Sequence, residues 1–283
     1  MRSRLLLNLF LLLLVGALGL LAVQESGRDS GPEEAPAVGC DPAGVTRIRV
    51  ERDGAEPVVL AKGADGWRLE TPFAARASAY RVSGILSLCQ TPSTARLDAD
   101  TLDLKPMGLA PPRVRVALDG TWIALGDTEP LDMRRYLRLG DTVHLVREDA
   151  YRHLAAGAAG LVDPAPLPPG ARLTALTLPS LALSRTDSGA WRVGNSSDPV
   201  SQDTIQALLE RWRGLSALRV SRSQALPAGE RIALRLEGEP AALEFVLEQE
   251  EREVRLTDAD TLLTYHLPAR MAEELLRLPG AVE

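Results

Sequence analysis

Ile48 and Val50 are separated by Arg49 and flanked by Arg47 and Glu51. This period-two alternation predicts a strand with one buried face, running from Val45 to Glu51 and turning at Asp53-Gly54. Pro57 to Ala61 reads as its hairpin partner. After Gly66 a third strand runs from Trp67 to Glu70 and stops at Thr71-Pro72. The period then changes. Val82, Ile85, Leu86 and Leu88 fall on one face of a helix from Ser78 to Gln90, with Ser78 at the N-cap. Alternation returns at Arg113 to Leu118 and turns at Asp119-Gly120. A meander of Trp122 to Leu125, Tyr136 to Leu139 and Val143 to Val146 follows, with Gly140-Asp141 as its last turn. Asp149 to Ala155 reads as a short closing helix.

The same order recurs downstream. Leu173 to Leu178 and Leu181 to Arg185 alternate, and Trp191 to Val193 forms a third strand. Ser201 to Leu215 is an amphipathic helix through Ile205, Leu208, Leu209 and Trp212. Strands follow at Arg231 to Glu237, Leu243 to Glu248, Glu253 to Thr257 and Thr264 to Leu267, and Pro268 to Leu278 closes the copy. Trp67 and Trp191 lie 124 residues apart (191 − 67), and Tyr136 and Tyr265 lie 129 apart (265 − 136). One module used twice is the expectation.

Leu5 to Val23 is apolar apart from Asn8, Gly16 and Gly19. As a helix it would extend about 28 Å, close to the hydrocarbon thickness of a bilayer. Arg2 and Arg4 precede it, and the next positive charge is Arg28. The positive-inside rule then leaves the N-terminus in the cytoplasm and exports the rest. A cleaved signal peptide is the competing reading, but the run is long for one. Residues 24–39, rich in Gly, Pro, Ser and acidic side chains, read as a flexible tether. The expected class is therefore α+β: an N-terminal transmembrane helix, then two repeated antiparallel meanders, each with one or two packed helices. Boundaries fall at 1–23 for the anchor, 24–39 for the tether, 40–158 for the first module, 159–170 for a Pro-rich linker and 171–283 for the second module.

Chemistry adds constraints more than it adds a reaction. The 283 residues carry a formal net charge of −6, which disfavours nucleic acid as a partner. The two cysteines, Cys40 and Cys89, are either a disulfide, suited to an exported chain, or separate thiols. Cys40 is too far beyond the apolar run to be a lipid-attachment site. His144 and His266 each fall near the last strand of a module, with His153 between them. No spacing of His and Cys matches a zinc site, so no metal and no cofactor is expected. The pentapeptide Asp-Ala-Asp-Thr-Leu occurs at Asp98 and again at Asp258, and reads as a turn with local Asx hydrogen bonds. Asp132 with Arg134 and Arg135 reads as a solvated turn. No serine stands in a Gly-x-Ser-x-Gly elbow, and no catalytic residue is assigned. Trp67, Trp191, Tyr136 and Tyr265 are the candidate binding residues, the two tryptophans doubling as roofs over their modules' cores.

Residues 45–155 also resemble a bacterial family catalogued as domain of unknown function 4340. The likeness is carried by Val58-Val-Leu60, by Gly66-Trp-Arg-Leu-Glu-Thr-Pro72, and by Leu104-Lys-Pro-Met-Gly-Leu109 running into Pro111-Pro-Arg-Val114. It continues through Leu125-Gly-Asp127, Tyr136-Leu-Arg138 and Val143-His-Leu-Val146. Met107 departs from it, an aromatic residue being more usual there. The resemblance implies a membrane-anchored exported protein found beside ABC-transporter components, and it brings no catalytic residues. The expected function is that of a non-enzymatic protein of the bacterial inner membrane, single-pass with a periplasmic body, docking an envelope partner. A cell-wall glycan-binding module with a tryptophan platform is the alternative.

Overall fold

Ile48 and Val50 are buried while Arg47 and Arg49 face water, so β1 (Arg47–Arg52) lays one apolar face on a core. A computed structural model describes residues 35–194 and 200–279. In it β1 pairs with β2 (Val58–Gly63), which pairs with β3 (Gly66–Thr71) and then β4 (Ala75–Arg76). Ser78 caps α1 (Ala79–Leu86) by accepting from the Arg81 N–H at 3.4 Å. The meander is β6 (Val114–Leu118), β7 (Thr121–Thr128), β8 (Arg135–Leu139) and β9 (Thr142–Val146). β5 (Ser93–Asp98) pairs with β9, and the sheet order is β4-β3-β2-β1-β6-β7-β8-β9-β5. Two short helices, α2 (Ala150–Ala155) and α3 (Gly157–Gly160), close this half.

The second sheet contains β10 (Leu173–Leu178), β11 (Leu181–Arg185), β12 (Trp191–Val193) and β13 (Arg219–Arg222). It is completed by β14 (Glu230–Leu236), β15 (Leu243–Gln249), β16 (Glu253–Asp258) and β17 (Leu263–Pro268). Its order is β12-β11-β10-β14-β15-β16-β17-β13, the first sheet's order without β4. Helix α4 (Gln202–Arg213) buries Ile205, Leu208, Leu209 and Trp212, and α5 (Met271–Leu276) lies beside it. The register fixes equivalent positions. Trp67 stands opposite Lys62 and Trp191 opposite Arg185, at the same rung of each sheet.

Strands dominate the described residues, and the longest of their helices has twelve residues. The α+β expectation is thereby corrected to a mostly β chain of two antiparallel sheets with few helices. The stretch read as one helix from Ser78 to Gln90 is eight α-helical residues followed by a 3-10 turn, Ser87–Gln90. Segments given no element, β5 and β13, turn out to be strands. Among the described residues no helix is long and apolar enough to cross a membrane. The anchor assigned to Leu5–Val23 lies outside the described residues.

Each sheet border meets more chain. Along β5, the Ser93 N–H donates to Ala35 O at 3.3 Å, and the Ala37 N–H donates to Thr91 O at 2.9 Å. The stretch read as tether thus joins the body from Ala35. Residues 161–165 run between the borders formed by β4 and β13. The Asp163 N–H donates to Arg76 O at 2.9 Å, and on the other side the Ala217 N–H donates to Pro164 O at 2.9 Å. The linker is therefore packed structure, with Leu161, Val162 and Leu167 buried.

Candidate functional site

The turn between β7 and β8 projects two large apolar side chains into water. Leu131 is 87% exposed and Met133 73%, and Met133 holds φ at +56°, a left-handed conformation that costs a branched or bulky residue free energy. Below them the loop is clamped. The Glu129 N–H donates to Arg134 O at 2.7 Å, and Arg134 Nε donates to Glu129 Oε1 at 2.5 Å. Arg134 also reaches Asp132 at 3.1 Å and Thr94 Oγ1 at 3.3 Å. Its hydrogen bond to Glu129 raises its pKa above the ordinary arginine value. Next along the chain, Arg135 Nε donates to Glu148 Oε1 at 2.5 Å, and its guanidinium lies 3.8 Å from the Tyr151 ring centroid. The Glu148 side chain is only 1% exposed. The two arginines are therefore a half-buried clamp beneath an exposed tip that includes Asp132, where a wholly solvated turn was expected. At the matching place in the second sheet, between β15 and β16, stand Glu250, Glu251 and Arg252.

The four aromatic candidates do not converge. Trp67 is half-buried on β3, against the first core. Trp191 is 6% exposed and packs into the hydrophobic core. Tyr136 joins a small cluster on the outer face of the first sheet with Leu104, Met107 and Val143. The register also corrects its pairing with Tyr265. Tyr265 stands opposite Leu256, as His144 stands opposite Leu137, so the counterpart of Tyr265 is His144. His144 Nδ1 lies 2.9 Å from Ser93 Oγ. Tyr265 instead lines a cavity of about 360 Å³ between the modules, with Arg76, Asp163 and Asp258. Burial, then the Asp258 carboxylate, pushes its phenol up to about 12. Cys40 and Cys89 are joined in a disulfide.

His144 and His266 sit on opposite faces of their sheets, because His266 is one residue beyond the counterpart of His144. His266 has a more suggestive setting. Ser221 Oγ lies 2.7 Å from its Nε2, and Glu253 Oε1 lies 3.3 Å from its Nδ1, the order of a Ser-His-carboxylate triad. The electrostatics oppose that chemistry. Glu253 is claimed by Arg255 at 3.0 Å and Arg219 at 3.3 Å. Burial, then the Arg219 charge, lowers the His266 pKa, which disfavours the imidazolium that taking the Ser221 proton would create. The three side chains come from β13, β17 and β16, neighbouring strands of one face, and act as a cross-strand polar lock. The repeated pentapeptides form Asx turns, with the Asp100 and Asp260 N–H groups donating to Asp98 and Asp258 at 3.0 and 2.9 Å. Among the described residues no group of three or more His, Cys, Asp or Glu side chains is placed to hold a metal ion.

Comparison with protein-family models, curated proteins and solved structures returns no match to this chain. The likeness of residues 45–155 to domain of unknown function 4340 thus rests on its motifs alone. Leu131 and Met133 escaped the sequence reading, although two large apolar residues inside a turn between strands are the signal that marks them.

Proposed function

We propose that this chain is a non-enzymatic envelope protein that docks a partner through the β7–β8 tip. The observation that carries the reading is the pairing of Leu131 and Met133, fully presented, with the ion-pair clamp of Arg134 and Arg135 beneath them. Burying either side chain in a partner's pocket is worth about 1.5–3 kcal/mol. Because the loop is already held in shape, little of that gain is lost to ordering it. The charged turn in the second module provides an internal contrast: the same scaffold does not require apolar residues there.

The apolar run Leu5 to Val23, with Arg2 and Arg4 before it, supports placement at the inner membrane with the N-terminus cytoplasmic and the body periplasmic. The resemblance of the first module suggests an ABC-transporter component as the partner. The test is photo-crosslinking in cells, with a crosslinking amino acid at position 131 of the full chain and, in parallel, at position 251. Adducts to one envelope protein from 131 and not from 251 are expected. Equal labelling from both positions, or an unchanged phenotype with Leu131 and Met133 both replaced by Asp, would overturn the reading.

A further inference from the structure

Arg172, Arg185 and Arg213 come from three separate stretches, the approach to β10, the end of β11 and the end of α4. All three line one concave cavity of about 450 Å³, which Trp191 and Gln206 also line. No carboxylate is among the described lining residues, although the chain as a whole has net charge −6. Two carboxylates meet these arginines from outside it. Glu210 holds Arg213 at 2.6 Å, and Glu237 lies 3.6 Å from Arg172, with both of those side chains largely in water. Arg185 has no carboxylate partner among the described residues; its Nε donates to Gly189 O at 3.3 Å.

We propose that this cavity binds a phosphate-type oxyanion. Arg172 and Arg213 are partly offset by carboxylates outside the cavity while Arg185 is not, which leaves repulsion among the guanidinium groups around one concavity. Low-dielectric walls such as the buried Trp191 reduce the screening that open water would supply. A multiply charged oxyanion relieves that repulsion. The planar guanidinium fork matches phosphate oxygens in a way an ammonium does not, and Gln206 adds an uncharged amide donor. A cavity of this size suits a small group and not a polymer. The same chemistry is offered by free inorganic phosphate and by the headgroup of an anionic phospholipid. This site lies on the second sheet and the β7–β8 tip on the first, and it stands independently of the docking reading.

The experiment uses the full chain in detergent, at constant ionic strength. Titration calorimetry compares sodium phosphate with sodium chloride, and short-chain phosphatidylglycerol with short-chain phosphatidylcholine. The variants are Arg185→Gln and, as a control, Arg192→Gln, an exposed arginine on β12 that does not line the cavity. Saturable phosphate binding that weakens by about tenfold or more in Arg185→Gln and is unchanged in Arg192→Gln is expected. If phosphatidylglycerol binds more tightly than phosphate, the headgroup is the source; if it binds equally or less, the free oxyanion is. Phosphate and phosphatidylglycerol indistinguishable from chloride and phosphatidylcholine would overturn the proposal. So would an equal loss in Arg192→Gln, which would reduce the effect to general surface charge.

Discussion

Gln202 completes the outer side of β12 as though it were a strand. Its side-chain carbonyl accepts from the Trp191 N–H at 2.9 Å, and its amide donates to Trp191 O at 2.8 Å. One side chain at the start of α4 therefore closes the border and ties the helix to the sheet. Replacing Gln202 with Ala is expected to cost about 1–3 kcal/mol, since both backbone groups lose their partner. Urea unfolding measures this, and an unchanged midpoint would contradict it. An uncovered border also invites pairing between chains, so the variant should show concentration-dependent association by light scattering.

Gly84 on α1 faces the His153 ring of α2. A Cβ there would lie 2.2 Å from His153 Cδ2, and His153 is buried with Arg81 Nη1 3.4 Å from its Nδ1. Alanine normally strengthens a helix interior by about 1 kcal/mol relative to glycine. Overpacking at a fixed ring costs about 1–3 kcal/mol, so Gly84→Ala should destabilise on balance. A stabilised Gly84→Ala protein in thermal unfolding would show that the two helices separate more easily than their packing implies.

The disulfide closes a loop of 49 residues in sequence separation and holds Cys40 against the end of the 3-10 turn. Reduction is expected to lower stability by about 3–4 kcal/mol. Denaturant unfolding with and without reductant, repeated on a Cys40→Ser/Cys89→Ala variant, checks it. The reduced protein and the variant should agree.

Acid should weaken the fold in two stages. His144, His153 and His266 all have pKa values below the ordinary imidazole value, burial being the largest cause in each. Each takes up a proton more readily unfolded than folded, so stability is flat above about pH 6.5 and falls as pH drops below it. Glu253, held below the usual carboxylate range first by its hydrogen bond with Arg255, adds a second loss near and below about pH 4.5. Thermal midpoints between about pH 8 and pH 5 measure the first stage. A midpoint that rose on acidification would reverse the sign.

Strands that alternate cleanly and end at Asp-Gly, such as β1 and β6, were legible from residue order, as was the equivalence of Trp67 and Trp191. β5 and β13 were not. Ser-Thr-Ala-Arg-Leu-Asp and Arg-Val-Ser-Arg carry little apolar alternation, and their partners β9 and β17 lie more than 40 residues downstream. Counting residues also misled: loops such as 129–134 and 250–252 differ in length, so the 129-residue interval between Tyr136 and Tyr265 joins positions that the register separates. At the sites, Arg172, Arg185 and Arg213 are 13 and 28 residues apart (185 − 172, 213 − 185). Only the folding of α4 back over β10 and β11 brings them to one cavity.

The short crossing at 161–165 serves two borders at once. The two halves are consequently tied through one segment. A single nick there would strip the cover from β4 and β13 together, leaving two open sheet margins in one damaged molecule. Five residues of backbone thus decide whether the molecule presents covered sheet margins or open ones.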